Sequence, residues 1–341
     1  MRLAADLVWD AAASTCAITF GRLLPTLEVP AIDLAGRTAV VTGANSGIGY
    51  SLALSLVSQG ATVHLACRSI SKGEDAVRRI VQTAGETTSK RIRVVELDTS
   101  SLESVRAFPA RFRALHNGGI DILIHNAGIT STSADARVTA EGVGTIYATN
   151  FLGSHLLTSL LEDQLNEGAR VLFTSSMAQY VANWNHLFRM PKMAPSEGES
   201  TTSVSDSGFY ADTKSFQVGF ARLLQERFDR KYPEKRLIAH SFSPGYTMTP
   251  ILDKITALPF YIDPLFWILK AATALALPVD QGAATGLWLA TTLDQNVVGQ
   301  GMGGAYWDRC VRRKTSADML SKETLDAAWR IWESDSDANW A

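Results

Sequence analysis

Six short runs of β-branched and apolar residues recur along the chain, and a segment of helical periodicity separates most of them from the next. The runs are TAVVT (38–42), ATVHLA (61–66), RIRVVEL (91–97), IDILIH (120–125), ARVLFT (169–174) and LIAHSF (237–242). Their nearly continuous hydrophobicity marks strands buried on both faces; a strand with one wet face would alternate. Helical periodicity lies between them, at 47–59, 71–84, 101–116, 141–165 and 211–231. Strands alternating with helices of this length require right-handed crossovers. The chain is therefore predicted to be an α/β protein with a doubly wound parallel sheet and helices on both faces. Ligands bind such a sheet beyond the carboxyl ends of its strands, so the chemistry is sought there.

A length of 341 residues suits one large domain with additions. The domain is predicted over 37–310, with a 1–36 N-terminal extension, an inserted loop at 177–209 rich in Ser, Thr, Gly and Pro, a substrate lid at 251–279 and a 311–341 helical tail. In 1–36, Asp6 and Asp10 interrupt any apolar run, which argues against a secretory signal. That segment reads as a helix packed on the domain, or as one that touches a membrane or covers a pocket. Pro259, Asp263, Pro264, Lys270 and Pro278 divide the greasy stretch 255–279, so it is too broken to span a bilayer and fits two short helices instead. A net charge of −2 gives no field to gather nucleic acid, and none is expected as a partner. Cys16, Cys67 and Cys310 are scattered, and the six histidines show no paired ligand spacing, so neither a disulfide framework nor a metal site is expected. These features point to a cytoplasmic protein whose membrane contact is at most peripheral.

The turn TGANSGIG (42–49) follows the first strand and opens a helix. Gly43 lets the chain leave the strand sharply, Gly47 lets the backbone approach a pyrophosphate at the helix N-terminus, and Gly49 permits close packing of helix on strand. A literal G-x-G-x-x-G also occurs at 299–304, but no strand-helix-strand unit follows it, so it is read as a loop. An acidic residue at the end of the second strand would bind a ribose 2′-hydroxyl; here the strand ends in Cys67–Arg68, and the nearest carboxylate is Glu74. The Arg68 guanidinium suits a 2′-phosphate, which predicts NADP(H) over NAD(H).

Tyr210 and Lys214 lie four apart at the start of a predicted helix and share a face. Ser175 and Ser176 end the fifth strand, Asn150 lies in the preceding helix, and NAG (126–128) ends the fourth strand. With TGANSGIG, Asp98, YADTK (210–214) and PGYTMT (244–249), this set resembles the short-chain dehydrogenase/reductase family over about residues 37–310. LACRS, the long Ser-to-Tyr insertion and the Trp-rich C-terminal segment look most like its retinol-dehydrogenase-like branch. The resemblance implies a Rossmann fold. It makes Tyr210 the general acid in reduction and base in reverse, with Lys214 favouring the tyrosinate and holding the nicotinamide ribose. Ser176 would hydrogen-bond the substrate oxygen, and Asn150 would hold a relay water. Asn45, Ser46 and Ile48 would line the phosphate turn, Asp98 the adenine and Asn126 the ribose, with Thr247 and Thr249 at the carboxamide and phosphate. Asp98 also reads as a helix cap, since it and the following Thr99 and Ser100 are all good N-cap residues.

The sequence departs from the family's shorter members in the 33 residues between Ser176 and Tyr210. Whether Trp184, His186 and Phe188 there meet substrate is open at this level. The expected activity is NADP(H)-dependent interconversion of a ketone or aldehyde with an alcohol. Its substrate would be hydrophobic, of terpenoid, polyketide, sterol or retinoid type, and a specialised biosynthetic pathway would suit it. The competing reading is a catalytically silent NADP(H)-binding sensor or scaffold. Phe216, Phe220, Leu223, Leu224 and Phe228 suit either a homodimer face or burial against the sheet.

Overall fold

The β-branched runs form the strands they predict. In the computed structural model, which describes residues 2–19, 21–133, 136–188, 206–247 and 276–340, eight strands make one sheet in the order β3-β2-β1-β4-β5-β6-β7-β8. They are β1 (Thr38–Thr42), β2 (Thr62–Cys67), β3 (Ile92–Glu96), β4 (Ile120–His125), β5 (Leu165–Thr174), β6 (Ile238–Ser243), β7 (Tyr306–Asp308) and β8 (Val311–Arg313). All neighbours are parallel except β7 and β8. The chain reverses its direction of travel across the sheet between β1 and β4, and a crevice opens beyond their carboxyl ends.

Helices cover both faces. α1 (Arg2–Thr19) precedes the sheet; α2 (Gly47–Ser58), α3 (Ile70–Ala84) and α4 (Leu102–Leu115) follow the first three strands. The single turn α5 (Thr145–Tyr147) runs through a π-helical turn, Ala148–Leu152, into α6 (Gly153–Leu161). After β5 come α7 (Asp206–Lys231), α8 (Val279–Thr291), α9 (Gln295–Val298) and α10 (Lys322–Ser336). The tail expected to be helical from 311 begins instead as β8, a strand too short for periodicity to reveal, and turns helical after it. The two lid helices, and the tip of the inserted loop at 189–205, lie outside the described residues.

The core has two halves, one on each face of the sheet. On one, Phe151, Phe173, Phe216 and Phe220 are wholly buried and interleave with Trp332 of α10. Each such ring contributes about 1.5–3 kcal/mol by leaving water. Phe216, Phe220, Leu223, Leu224 and Phe228 of α7 are thus all buried within the chain, and they offer no exposed face to a second copy. A buried ion pair fixes the far end of α7: Arg227 meets both carboxylate oxygens of Glu162 at 2.6 and 2.8 Å, a bidentate geometry that offsets the desolvation of both groups.

The N-terminal extension packs on the domain through α1. Asp10 accepts from Arg313 at 3.2 Å and from the Lys314 amide at 2.8 Å, and Ser14 is buried beneath it. Val8 and Trp9 remain exposed. Among the described residues no helix is long and apolar enough to cross a membrane.

Candidate active site

A cavity of about 460 Å³ occupies the crevice between the ends of β1 and β4. The glycine turn forms one wall, and it can do so because its glycines lack side chains. Gly43 has φ +65°, and a Cβ there would come within 2.9 Å of the Ala127 Cα. Gly47 has φ +56° and opens α2 at the cavity wall, beside Asn45, Ser46 and Ile48. Gly49 does not line the cavity; a Cβ there would sit 2.5 Å from Asn126 Nδ2, so its role is packing. Asn126 lines the opposite wall, donating from Nδ2 to the Thr42 carbonyl at 3.0 Å and so tying the ends of β4 and β1 together.

One end of the cavity is cationic. Arg68 lines it, and so does Lys72, one turn into α3, whose amide donates to the Ser69 cap. No motif marks Lys72; the fold brings it to Arg68 because Ser69 caps α3 just past the strand end. Asp98 also lines this end, and its Oδ1 accepts from both the amide and the hydroxyl of Ser100, at 2.9 and 2.6 Å. The helix cap read onto Asp98 belongs to Ser101, which accepts from the Ser104 amide at 3.2 Å.

At the other end α7 brings Tyr210 and Lys214 to the wall together with Ser176 of the β5 end. The Ser176 side chain sits beside the Tyr210 hydroxyl and favours its ionisation. The adjacent Ser175 turns the other way, donating to the Lys214 carbonyl at 2.6 Å and so binding β5 to α7. Lys214 Nζ lies 5.5 Å from the centre of the Tyr210 ring and donates to the Thr174 carbonyl at 2.7 Å. Burial pushes the Lys214 amine down to about 7. Burial also raises Tyr210, with the Ser176 side chain pulling the other way, so the phenol holds its proton at neutral pH.

Asn150 stands behind the wall, inside the π-turn and fully buried. Its Oδ1 accepts the Ile129 N–H at 2.8 Å and its Nδ2 donates to the Ile129 carbonyl at 2.9 Å. Such turns concentrate at functional sites. Thr247 lines the cavity and donates to the Pro244 carbonyl at 2.6 Å, while Thr249 lies outside the described residues. None of Trp184, His186 and Phe188 lines the cavity. Trp184 packs on Phe216, and His186 Nδ1 meets the buried Asp212 carboxylate at 2.6 Å. Ile129, Thr130 and Thr149 line it as well, and so does Tyr246 of the PGYTMT segment; nothing in the spacing of the first three marks them.

The matched sequence says what this arrangement belongs to. The short chain dehydrogenase family model matches residues 37–186. Retinol dehydrogenase 12 from Mus musculus is 31% identical over 88% of this chain and 86% of its own length. The chain belongs to the short-chain dehydrogenase family. Within this family of oxidoreductases it falls in the retinol-dehydrogenase-like branch. A WW domain-containing oxidoreductase from Gallus gallus is 30% identical over 88% of this chain and 68% of its own length. An uncharacterised protein of known structure from Mycobacterium Paratuberculosis shares 28% identity at a TM-score of 0.66, covering 92% of this chain and 97% of its own.

Proposed function

We propose that this dehydrogenase interconverts a ketone or aldehyde with an alcohol on a hydrophobic substrate, using NADP(H). The observation that carries the reading is the single cavity with Tyr210, Ser176 and Lys214 at one end and Arg68 and Lys72 at the other. The turn fits a dinucleotide, since side chains at Gly43 or Gly47 would be strained and the Gly43 Cβ would meet the Ala127 backbone. Asn45, Ser46, Gly47 and Ile48 would hold the pyrophosphate, Asp98 the adenine end and Asn126 the ribose. Arg68 and Lys72 would pair with a 2′-phosphate, which favours NADP(H).

When bound, the cofactor supplies the hydride exchanged at the carbonyl carbon. The chain supplies the rest. Ser176 Oγ orients the substrate oxygen, and the Tyr210 hydroxyl stands beside it as proton donor in reduction and acceptor in oxidation. Lys214 offers its charge to the phenolic oxygen and a donor to the ribose. Asn150 fixes the backbone at Ile129, which shapes the wall next to these groups. Ile129 and Tyr246 on that wall, with the apolar composition of 255–279, support a medium-to-large apolar substrate of retinoid, sterol, terpenoid or polyketide type. A specialised biosynthetic reductase and a peripheral intracellular location are consistent with that substrate class.

The test is loss of NADPH absorbance with a panel of apolar ketones and aldehydes, run beside Tyr210→Phe. Turnover should fall by about 100-fold or more in the variant while cofactor binding persists. Undiminished turnover by the variant would remove Tyr210 from the chemistry. Tight NADPH binding with no turnover of any carbonyl would favour the sensor reading.

A further inference from the structure

The Lys214 ammonium has three donors, and the described residues supply two acceptors: the Thr174 carbonyl at 2.7 Å and Gln217 Oε1 at 3.4 Å. Gln217 lies three residues further along the same face of α7 and is wholly buried. The other end of its amide, Nε2, donates to the Asn150 carbonyl at 2.8 Å. The orientation of this amide is fixed by its neighbours. A carbonyl only accepts and an ammonium only donates, so the amide oxygen faces Lys214 and the NH2 faces Asn150. The Asn150 side chain is itself held at both ends by Ile129, so the anchor of the amide does not swing.

We propose that Gln217 is a positioning residue that holds the Lys214 ammonium and joins it, through one side-chain amide, to the π-turn at Asn150. What Lys214 does in turnover rests on the proposed function above; the coupling does not. The oxygen of the amide favours the protonated amine and opposes the burial that drives Lys214 down to about 7. The titratable group facing Lys214 is Tyr210 on its own helix. β5 presents the Thr174 carbonyl, the π-turn presents Asn150, and the loop after β4 presents Gly128, where a Cβ would stand 3.4 Å from Nζ. Among the described residues no carboxylate pairs with Lys214, so neutral acceptors decide how much ammonium persists near neutral pH.

Two variants of the same shape separate this role from packing. Gln217→Met keeps the unbranched volume and removes the acceptor; Gln217→Glu keeps the volume and makes the acceptor anionic. Trace acetylation of amines from about pH 5 to about pH 10, read by mass spectrometry on the Lys214 peptide, gives its protonation midpoint without cofactor or substrate. The midpoint should fall by about one pH unit in Gln217→Met, roughly tenfold in the protonation constant, and rise by about as much in Gln217→Glu. The alkaline limb of carbonyl reduction should move the same way. Gln217→Asn, which withdraws the acceptor by one carbon, also lowers the midpoint and stands in should an isosteric variant melt below the assay temperature. Unchanged midpoints, or the same direction of shift in Met and Glu, overturn the proposal. Shifted midpoints in a protein that reduces no carbonyl would sink the functional reading and leave this one standing; turnover without shifts would do the reverse.

Discussion

Asn150 grips the backbone of Ile129 at both ends, accepting its N–H at 2.8 Å and donating to its carbonyl at 2.9 Å. Both bonds are part-buried at the cavity wall, and removing the amide strands two main-chain groups at once. Asn150→Ala should cost about 2–4 kcal/mol of unfolding free energy, at about 1–2 kcal/mol for each part-buried group left unmet. Urea melts would give that loss. Asn150→Asp retains the acceptor but not the donor, and should fall between the two.

Arg68 and Lys72 face one end of the cavity from either side of the Ser69 cap. If both meet a 2′-phosphate, each alanine substitution should weaken NADPH about 10- to 100-fold and leave NADH within a few-fold. Paired fluorescence titrations at two salt concentrations would show it. Equal losses for the two cofactors would place these cations elsewhere than on a 2′-phosphate.

Four buried imidazoles predict how the fold responds to acid. Burial lowers His64 and His240 to about 4, and His125 and His155 to about 3, from 6.5. Their folded values are depressed, so the unfolded chain takes up protons first as pH falls below 6.5. Stability is therefore lost as pH falls from about 6.5 toward 4, by about 2 kcal/mol per ring at pH 5. Denaturant midpoints measured between about pH 7 and about pH 5 should drop steeply. The drop should be smaller when His155 is replaced by Gln.

Trp332 joins α10 to the central aromatic cluster, packing on Phe151, Phe216 and Trp184. Trp332→Ala should destabilise by about 3–5 kcal/mol. Thermal melting of this variant beside Trp9→Ala, whose ring is exposed, should show the loss in the first only.

The sheet was legible because its strands carry long runs of β-branched residues, and Tyr210, Lys214 and Ser176 because their spacing is fixed by a helix face and a strand end. What escaped was set by tertiary geometry. β8 follows β7 through Arg309 and Cys310, both at positive φ (50° and 59°), and this tight hairpin is normally signalled by Asn or Gly. The π-turn around Asn150 has no compositional signature, and neither does the Gln217 bond to its carbonyl. Asp98 and Ser101 are both good caps by type, and only the backbone path decides that Ser101 serves. Ser175 and Ser176 are chemically identical, and the extended chain just past β5 turns the first to the Lys214 carbonyl and the second toward Tyr210.

The two open margins of the sheet are its remaining liability. β8 is three residues long with Arg312 and Arg313 in it, and β3, the opposite margin, carries Arg93 and Glu96 exposed. Short length and charge are the features that keep a margin from recruiting a strand of another chain. A parallel sheet assembles slowly from distant segments, and its unfinished forms meet one another while they wait. Charged margins at both sides let those forms collide without joining edge to edge, which should favour refolding at high concentration over fibril-like association.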